Sequence, residues 1–329
     1  MLEMLQTPLT HMSTIEPNKQ KIKDIFYHAY KRPLDTTGRY GLCDWLNIQK
    51  FTTSQKIADL QDKLKVKEYV KKVCPDLRTA EVFWEGDYIV NAWNELPRKF
   101  MLKANHGKDL NWLIDKDKVG IGHAQKLIDL WMSTDFGSIT EERNYSLITP
   151  KAFAEEYLEN KNHESGLPDD YKFWTFHGKP GFLQLNVEGK WTGDHFDDRR
   201  IECYDPYTGE RLPQRYYYRN ADNPVNVDIP PEMLNHVEML SKELDFVRVD
   251  FFFVNDIVYF AELTMIPGCG YVPIMPIKLE NVWANVINKR LTVEKALEIV
   301  KQIPLDHEEL QHNYPQNLSE EEIRNFIKV

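Results

Sequence analysis

The most constraining stretch of the chain is VRVDFFFVNDIVYFAEL, Val247 to Leu263. Almost all of it is apolar and β-branched or aromatic, and the polar pair Asn255-Asp256 divides it. It therefore reads as two antiparallel strands around a tight turn. Arg248, Asp250 and Glu262 interrupt the apolar run, and the register decides where they point. A two-residue turn pairs Val254 with Ile257 and Asp250 with Ala261. Glu262 then lies on the apolar face of Val249, Phe251 and Phe253. A three-residue loop, Asn255 to Ile257, pairs Val254 with Val258, Asp250 with Glu262 and Arg248 with Thr264. The polar groups then share one face, with Val247, Val249, Phe251, Phe253, Tyr259, Ala261 and Leu263 on the other. Because a one-residue slip inverts a whole strand, the apolar pattern predicts the three-residue loop.

Two carboxylates directly opposite across strands repel, so something must compensate. Arg248, a shared proton or a divalent cation would each serve. A structural Arg–Asp–Glu cluster is one reading of the pattern. The other is a site for Mg²⁺, which favours a few hard oxygen ligands completed by phosphates. On the metal reading, neutralising Glu262 is expected to leave the metal-free protein at least as stable.

The rest of the chain bounds the answer. Its 329 residues allow two or three domains. A net charge of −10 with no long Lys/Arg block gives no electrostatic case for nucleic acid or an anionic membrane. No apolar run approaches the roughly 18–20 residues of a spanning helix, and the first residues lack a secretory pattern. Cys43, Cys74, Cys203 and Cys269 are scattered, which favours reduced thiols in a cytoplasmic protein. The histidines lack the H-x-x-x-H spacing of a zinc hydrolase.

Helices are expected around KQKIKDIFYHAYKR, over 53–73 (with Ile57, Leu60, Leu64, Tyr69, Val70 and Val73 on one side), and over HAQKLIDLWMSTDFG, PPEMLNHVEMLSKELD, VEKALEIVKQ and LSEEEIRNFIKV. The last carries a capping box, Ser319 with Glu322. Strands are expected at AEVFWE, YIVNAW, KFMLKANHG, KAFAEEYLE and YKFWTFHGKPGFLQLNVEG. Residues 186–230 read as polar loops with short strands. Strands and helices mix without strict βαβ alternation, so the class is α+β.

Several segments carry residues suited to a nucleotide site. KFMLKANHG puts Lys103 on a strand before a loop with His106 and Gly107, where a lysine can hold phosphate as a point charge. An edge lysine in solvent is the commoner role of such a residue. DYKFWTF puts Asp170 and Lys172 at a strand start. In order along the chain, DKLKVKEYV, ELPRKFMLKANHG, PKAFAEEYLE, DYKFWTFHGKPGF and FVRVDFFFVNDIVYFAELTMIPGCG resemble the ATP-grasp superfamily, most closely its TupA-like branch linked to teichuronopeptide synthesis. The resemblance runs from about Asp62 to Pro276.

That resemblance implies two lobes, each on an antiparallel sheet, clamping ATP. Residues 1–95 would form an N-terminal region, 96–290 the ATP-grasp domain (small lobe about 96–157, large lobe about 158–290), and 291–329 a helical tail. Mg²⁺ would fall to Asp250 and Glu262, with Thr264 where the family commonly has Asn. Arg248 and Lys172 would serve the transferred phosphoryl group. Lys63, Lys103, His106 and Gly107 would meet the phosphates, with a satisfied structural histidine an equal reading of His106. Glu155, Glu156 and Leu158 would form the adenine hinge, through backbone groups of Glu156 and Leu158, and Asp170 would bind ribose. The chain departs from the family after N-H-G, where Lys108 and Asp109 replace a Ser-Gly pair and restrict the loop.

The implied chemistry is ligation of a carboxylate to an amine through an acylphosphate, in surface polysaccharide or glycopeptide synthesis, with acceptor contacts sought in 191–219. Two rivals are a glycosyltransferase, for which DHFDDRR (Asp194 to Arg200) could be misread as a metal motif, and a non-catalytic nucleotide-binding protein.

Overall fold

A computed structural model describes residues 16–303, apart from 162, 164–165, 188–189, 192–195, 198–199, 217–226 and 228. The helices are α1 (Lys19–Tyr30), α2 (Leu42–Gln49), α3 (Gln55–Gln61), α4 (Lys65–Val73), α5 (Ile121–Met132), α6 (Phe136–Thr140), α7 (Pro231–Ser241), α8 (Lys278–Ile287) and α9 (Val293–Lys301). The strands are β1 (Arg78–Thr79), β2 (Val82–Gly86), β3 (Lys99–Ala104), β4 (Asn111–Asp115), β5 (Ala152–Glu156), β6 (Asp169–Phe176), β7 (Lys179–Val187), β8 (Lys190–Trp191), β9 (Phe196–Asp197), β10 (Arg200–Tyr204), β11 (Arg215–Tyr216), β12 (Phe246–Val254), β13 (Ile257–Thr264) and β14 (Ile274–Met275). The α+β class is borne out.

Two sheets organise two cores. The larger runs β1-β13-β12-β6-β7-β10, antiparallel except where β1 joins β13. The smaller is antiparallel in the order β2-β5-β3-β4. On the smaller, α5 lays Ala124, Ile128 and Trp131 against Phe100, Leu102 and Ile114. The larger core gathers Phe173, Leu183, Val249 and Phe251 from the sheet with Met233 and Val237 of α7 and Leu279 and Trp283 of α8. Ile22, Phe26 and Tyr30 of α1 and Val293, Leu297 and Val300 of α9 join that same core, so both ends of the described chain pack on the larger sheet.

Three expected elements change. The span 53–73 is two helices, broken where Asp62 turns extended at ψ 114° and its carboxylate accepts from the Leu64 amide at 2.9 Å. A short polar side chain that bonds nearby backbone stops one helix and starts the next. YIVNAW is a single 3₁₀ turn at Ile89–Asn91 that buries Ile89, not a strand. The helix from Ile121 ends at Met132, and α6 follows with Asp135 accepting from Ser138 N. The turn inside β6–β7, α7 with Pro231 at its start, and the stop of α4 before Pro75 stand as expected. The LSEEEIRNFIKV helix and most of DHFDDRR lie outside the described residues. No described helix is long and apolar enough to cross a membrane.

Candidate active site

The β12–β13 hairpin combines features of both registers. At its tip, Asn255 and Asp256 take φ of 50° and 63° and form a two-residue turn, pairing Val254 with Ile257 and Phe251 with Phe260. Asx residues tolerate this left-handed geometry, and such a turn matches strand twist. The expected three-residue loop is therefore absent. Between Asp250 and Phe251 the register shifts, with Ala261 as the unpaired extra residue, and below it Asp250 pairs with Glu262, Val249 with Leu263 and Arg248 with Thr264. A β-bulge has supplied what the longer turn was expected to supply. One consequence corrects the face assignment. Tyr259 pairs with Phe252, on the carboxylate side, and packs near Ala80, Leu158 and Val254. Phe260, not Ala261, takes the place opposite Phe251.

Asp250 and Glu262 thus share a face, and cations compensate them. Arg248 donates to Asp250 through Nε (2.7 Å) and Nη2 (2.5 Å), and to Glu262 at 3.2 Å. Lys172 lies 2.8 Å from Asp250 and 2.7 Å from Asp170. Thr264 accepts from Arg248 at 3.0 Å and donates to Glu262 at 2.9 Å. Burial works against ionisation of Glu262, yet Arg248, Lys172 and Lys63 together hold its carboxyl down at about 2. Asp250 is fully buried, and that desolvation raises its pKa against the pull of Arg248 and Lys172. Burial likewise opposes the charge on Lys172, but Asp170 and Asp250 keep its pKa raised. Glu262 is held by attraction in the free chain, so neutralising it is expected to destabilise the metal-free protein, opposite in sign to the expectation from the sequence.

Lysines of the α3–α4 region and of β3 approach the same place. Lys63, in the break between α3 and α4, donates to the carbonyl of Gly107 and feels the charges of both Glu262 and Lys103. Lys103 meets Glu155 at 2.5 Å, and Lys67, which the sequence reading passed over, reaches the same carboxylate at 2.8 Å. Gly107 is confined by packing, since a Cβ there would stand 2.9 Å from Leu110 and 3.0 Å from Phe136.

Two expected contacts are used otherwise. His106 is buried, and its Nε2 donates to the carbonyls of Trp131 (3.1 Å) and Thr134 (3.2 Å). Burial lowers its pKa, so the ring is neutral with only the Nδ1 lone pair left, which cannot donate to a phosphate. His106 anchors its loop to the end of α5. The Glu156 amide donates to the Glu81 carbonyl at 2.8 Å, so that N–H is not open to an adenine edge.

The polar face extends further than the sequence reading carried it. Lys172 pairs across strands with Gln184, and Asp170 with Asn186. Trp174 donates to Gln184 at 3.2 Å, and Gln184 donates to Asn186 at 2.9 Å. Their signal was present: polar residues two apart in the otherwise apolar strand FLQLNV share a face.

Donor chemistry suits Mg²⁺. Asp250, Glu262 and Thr264 offer only oxygen, and the Glu262 side chain is 38% exposed. Among the described residues no group of three or more His, Cys, Asp or Glu side chains is arranged around a metal position. A cation at the carboxylate pair would therefore draw its remaining ligands from Thr264, water and phosphate.

The TupA-like ATP-grasp family model matches residues 43–287. Among solved structures, the ATP-grasp ligase PsnB with its minimal precursor aligns at 11% identity and TM-score 0.42, over 71% of this chain and 61% of that one. D-alanine–D-alanine ligase from Bacillus anthracis aligns at 14% and 0.38, over 74% and 69%. N5-carboxyaminoimidazole synthetase from Staphylococcus aureus, complexed with ADP, aligns at 19% and 0.36, over 65% and 46%. A search of curated proteins found no match.

Proposed function

The chain belongs to the TupA-like ATP-grasp family, and we propose that it is an ATP- and Mg²⁺-dependent ligase joining a carboxylate to an amine. The observation that carries this reading is the pairing of Asp250 with Glu262 on one face, beside Lys172 and Arg248 and within the field of Lys63. Cation-holding carboxylates and anion-holding cations there converge from the larger sheet and from the break between α3 and α4. That is what a reaction needs whose catalysis is positioning and charge neutralisation.

In this reading Lys103 and Lys63 hold nucleotide phosphates as point charges. The Glu156 carbonyl and the Leu158 backbone remain for the adenine edge, and Asp170 for the ribose. Mg²⁺, held by Asp250, Glu262 and Thr264, would neutralise charge on the phosphates. Arg248 and Lys172 stand beside that position and orient the transferred phosphoryl group. The acceptor carboxylate takes the γ-phosphoryl to give an acylphosphate, the amine attacks its carbonyl, and phosphate leaves. No side-chain nucleophile is required. On this reading the acceptor is a glycan or peptide of a surface polymer, such as a uronic acid, handled in the cytoplasm. The stretch 191–219, where acceptor contacts were expected, lies partly outside the described residues.

Glu262→Gln tests the reading. It is expected to abolish Mg²⁺-dependent ADP release while the protein stays folded. Stability without metal should fall by roughly 1 kcal/mol, the scale of a partly exposed pair. ADP release at the wild-type rate from the folded variant would remove Glu262 from the reaction.

A further inference from the structure

Lys108 stands where the sequence departs from its family, and its side chain crosses between the lobes. It follows β3 in the smaller lobe. Its Nζ donates to both oxygens of Glu142 (3.0 and 3.1 Å) and to the carbonyl of Ile266 (2.9 Å), just beyond Thr264 in the larger core. Glu142 is buried, and it holds the Lys108 ammonium charged although burial opposes this.

The segment 266–270 that Lys108 reaches is gripped throughout. Lys50, at the end of α2, donates to the Cys269 carbonyl at 2.5 Å, and Asn47 donates to the Gly270 carbonyl at 2.6 Å. Gly268, Cys269 and Gly270 all take left-handed φ, at 55°, 54° and 70°. Such a run is costly for Cys269 and persists only where its surroundings fix it. Lys50 and Asn47 belong to the element preceding the small lobe, and Lys108 alone among these three donors comes from the loop that carries Gly107. That loop is itself pinned, by Lys63 on the Gly107 carbonyl and by Asn105, which donates to Asp62 at 3.1 Å and to the Thr149 carbonyl at 3.1 Å.

We propose that Lys108 is a positioning residue: it ties the phosphate-side loop 105–109 to the loop 266–270 beyond the carboxylate pair, so that the two sides of the cleft order as one unit. The proposal rests on the ligase reading for the word phosphate, but the tie is a property of the free chain. Lys108 makes the loop a fixed strap. Nucleotide arriving at one loop therefore orders the other, where the second substrate must approach the carboxylate pair.

Amide hydrogen exchange on the full chain tests this, followed in peptides spanning 105–110 and 265–271, with and without ADP and Mg²⁺. The comparison is wild type against the double variant Lys108→Met with Glu142→Gln, which removes both members of the pair, with Glu142→Gln alone as the control for the counter-charge that Lys50 loses. Without nucleotide, the double variant should exchange at least tenfold faster in 265–271. With ADP and Mg²⁺, both peptides should slow in wild type but only 105–110 in the variant, with ADP affinity within twofold. Lys108→Arg should restore the joint response. If the double variant does not fold, Lys108→Gln serves, being too short to span both Glu142 and Ile266. Unchanged exchange in 265–271 of a folded variant, or a joint response that survives, overturns the proposal. Failure of ADP to bind the wild type would instead overturn the ligase reading, and exchange in the free protein would still decide the tie.

Discussion

At Lys103 the ammonium shares the carboxylate of Glu155 with Lys67. Removing one lysine leaves the buried acid still paired, so nucleotide binding and folding separate at this position. Lys103→Ala is expected to weaken ATP binding roughly tenfold to a hundredfold, the worth of a charge-assisted contact of about 1.5–3 kcal/mol. The melting temperature without nucleotide should barely move. Isothermal titration with ATP checks the first and thermal unfolding the second. Glu280 offers a different test. Burial pushes its carboxyl up to about 7, although the Ile274 and Cys43 amides each donate to it at 2.7 Å and pull the other way. A carboxyl with a raised folded pKa binds more protons folded than unfolded. Stability is therefore expected to fall as pH rises from about 4.5 to about 7. Urea unfolding at the two ends of that window should show a decline on the order of 1–3 kcal/mol from this group. In Glu280→Gln the slope should flatten, and a slope equal to wild type would acquit Glu280.

Among the elements, the break between α3 and α4 does the most to place a functional side chain. The Asp62 carboxylate accepts from the Leu64 and Lys65 amides at the entry to α4 and from Asn105, so it sets Lys63 against the Gly107 loop. Asp62→Ala is expected to cost about 1–2 kcal/mol, the range of a lost cap. It should also weaken ATP binding, because Lys63 loses its fixed direction; chemical unfolding and nucleotide titration read the two effects separately. This break was hidden in the sequence, since Ile57, Leu60, Leu64 and Val70 keep helical spacing straight through it. The carboxylate pair was legible because an ionised group among Val and Phe side chains admits few placements. The bulge was not, because alternation alone cannot distinguish a longer turn from an extra residue within a strand. His106 stayed open between a phosphate contact and a structural role for a related reason. A histidine beside a glycine in a loop signals phosphate only if its ring points outward, and Trp131 and Thr134 supply carbonyls that turn it inward.

On the scale of the molecule, α1 and α9, expected in an N-terminal region and a helical tail, both pack into the core of the larger sheet. Phe26 of α1 is fully buried, stacks on Tyr30 at 4.4 Å and belongs to the core that also holds Val249 and Phe251. Phe26→Ala is expected to cost about 3–5 kcal/mol, and because the core is shared the six-stranded sheet should unfold with the helix. Coincident loss of near- and far-ultraviolet circular dichroism would show this, and an early separate step would not. The apolar strands and helix faces of that core could be anticipated, but not the closure of both ends of the described chain onto one sheet, which depends on contacts far apart in sequence. The extra residue at Ala261 has a consequence on this scale too. It acts as a phase shifter in the alternation of β13, so that Glu262 and Tyr259, an odd number of positions apart, face the same way. Tip and base of the hairpin can then drift independently over evolutionary time: the tip adjusts its fit to Ala80 and Leu158 while the chemistry below keeps its own beat.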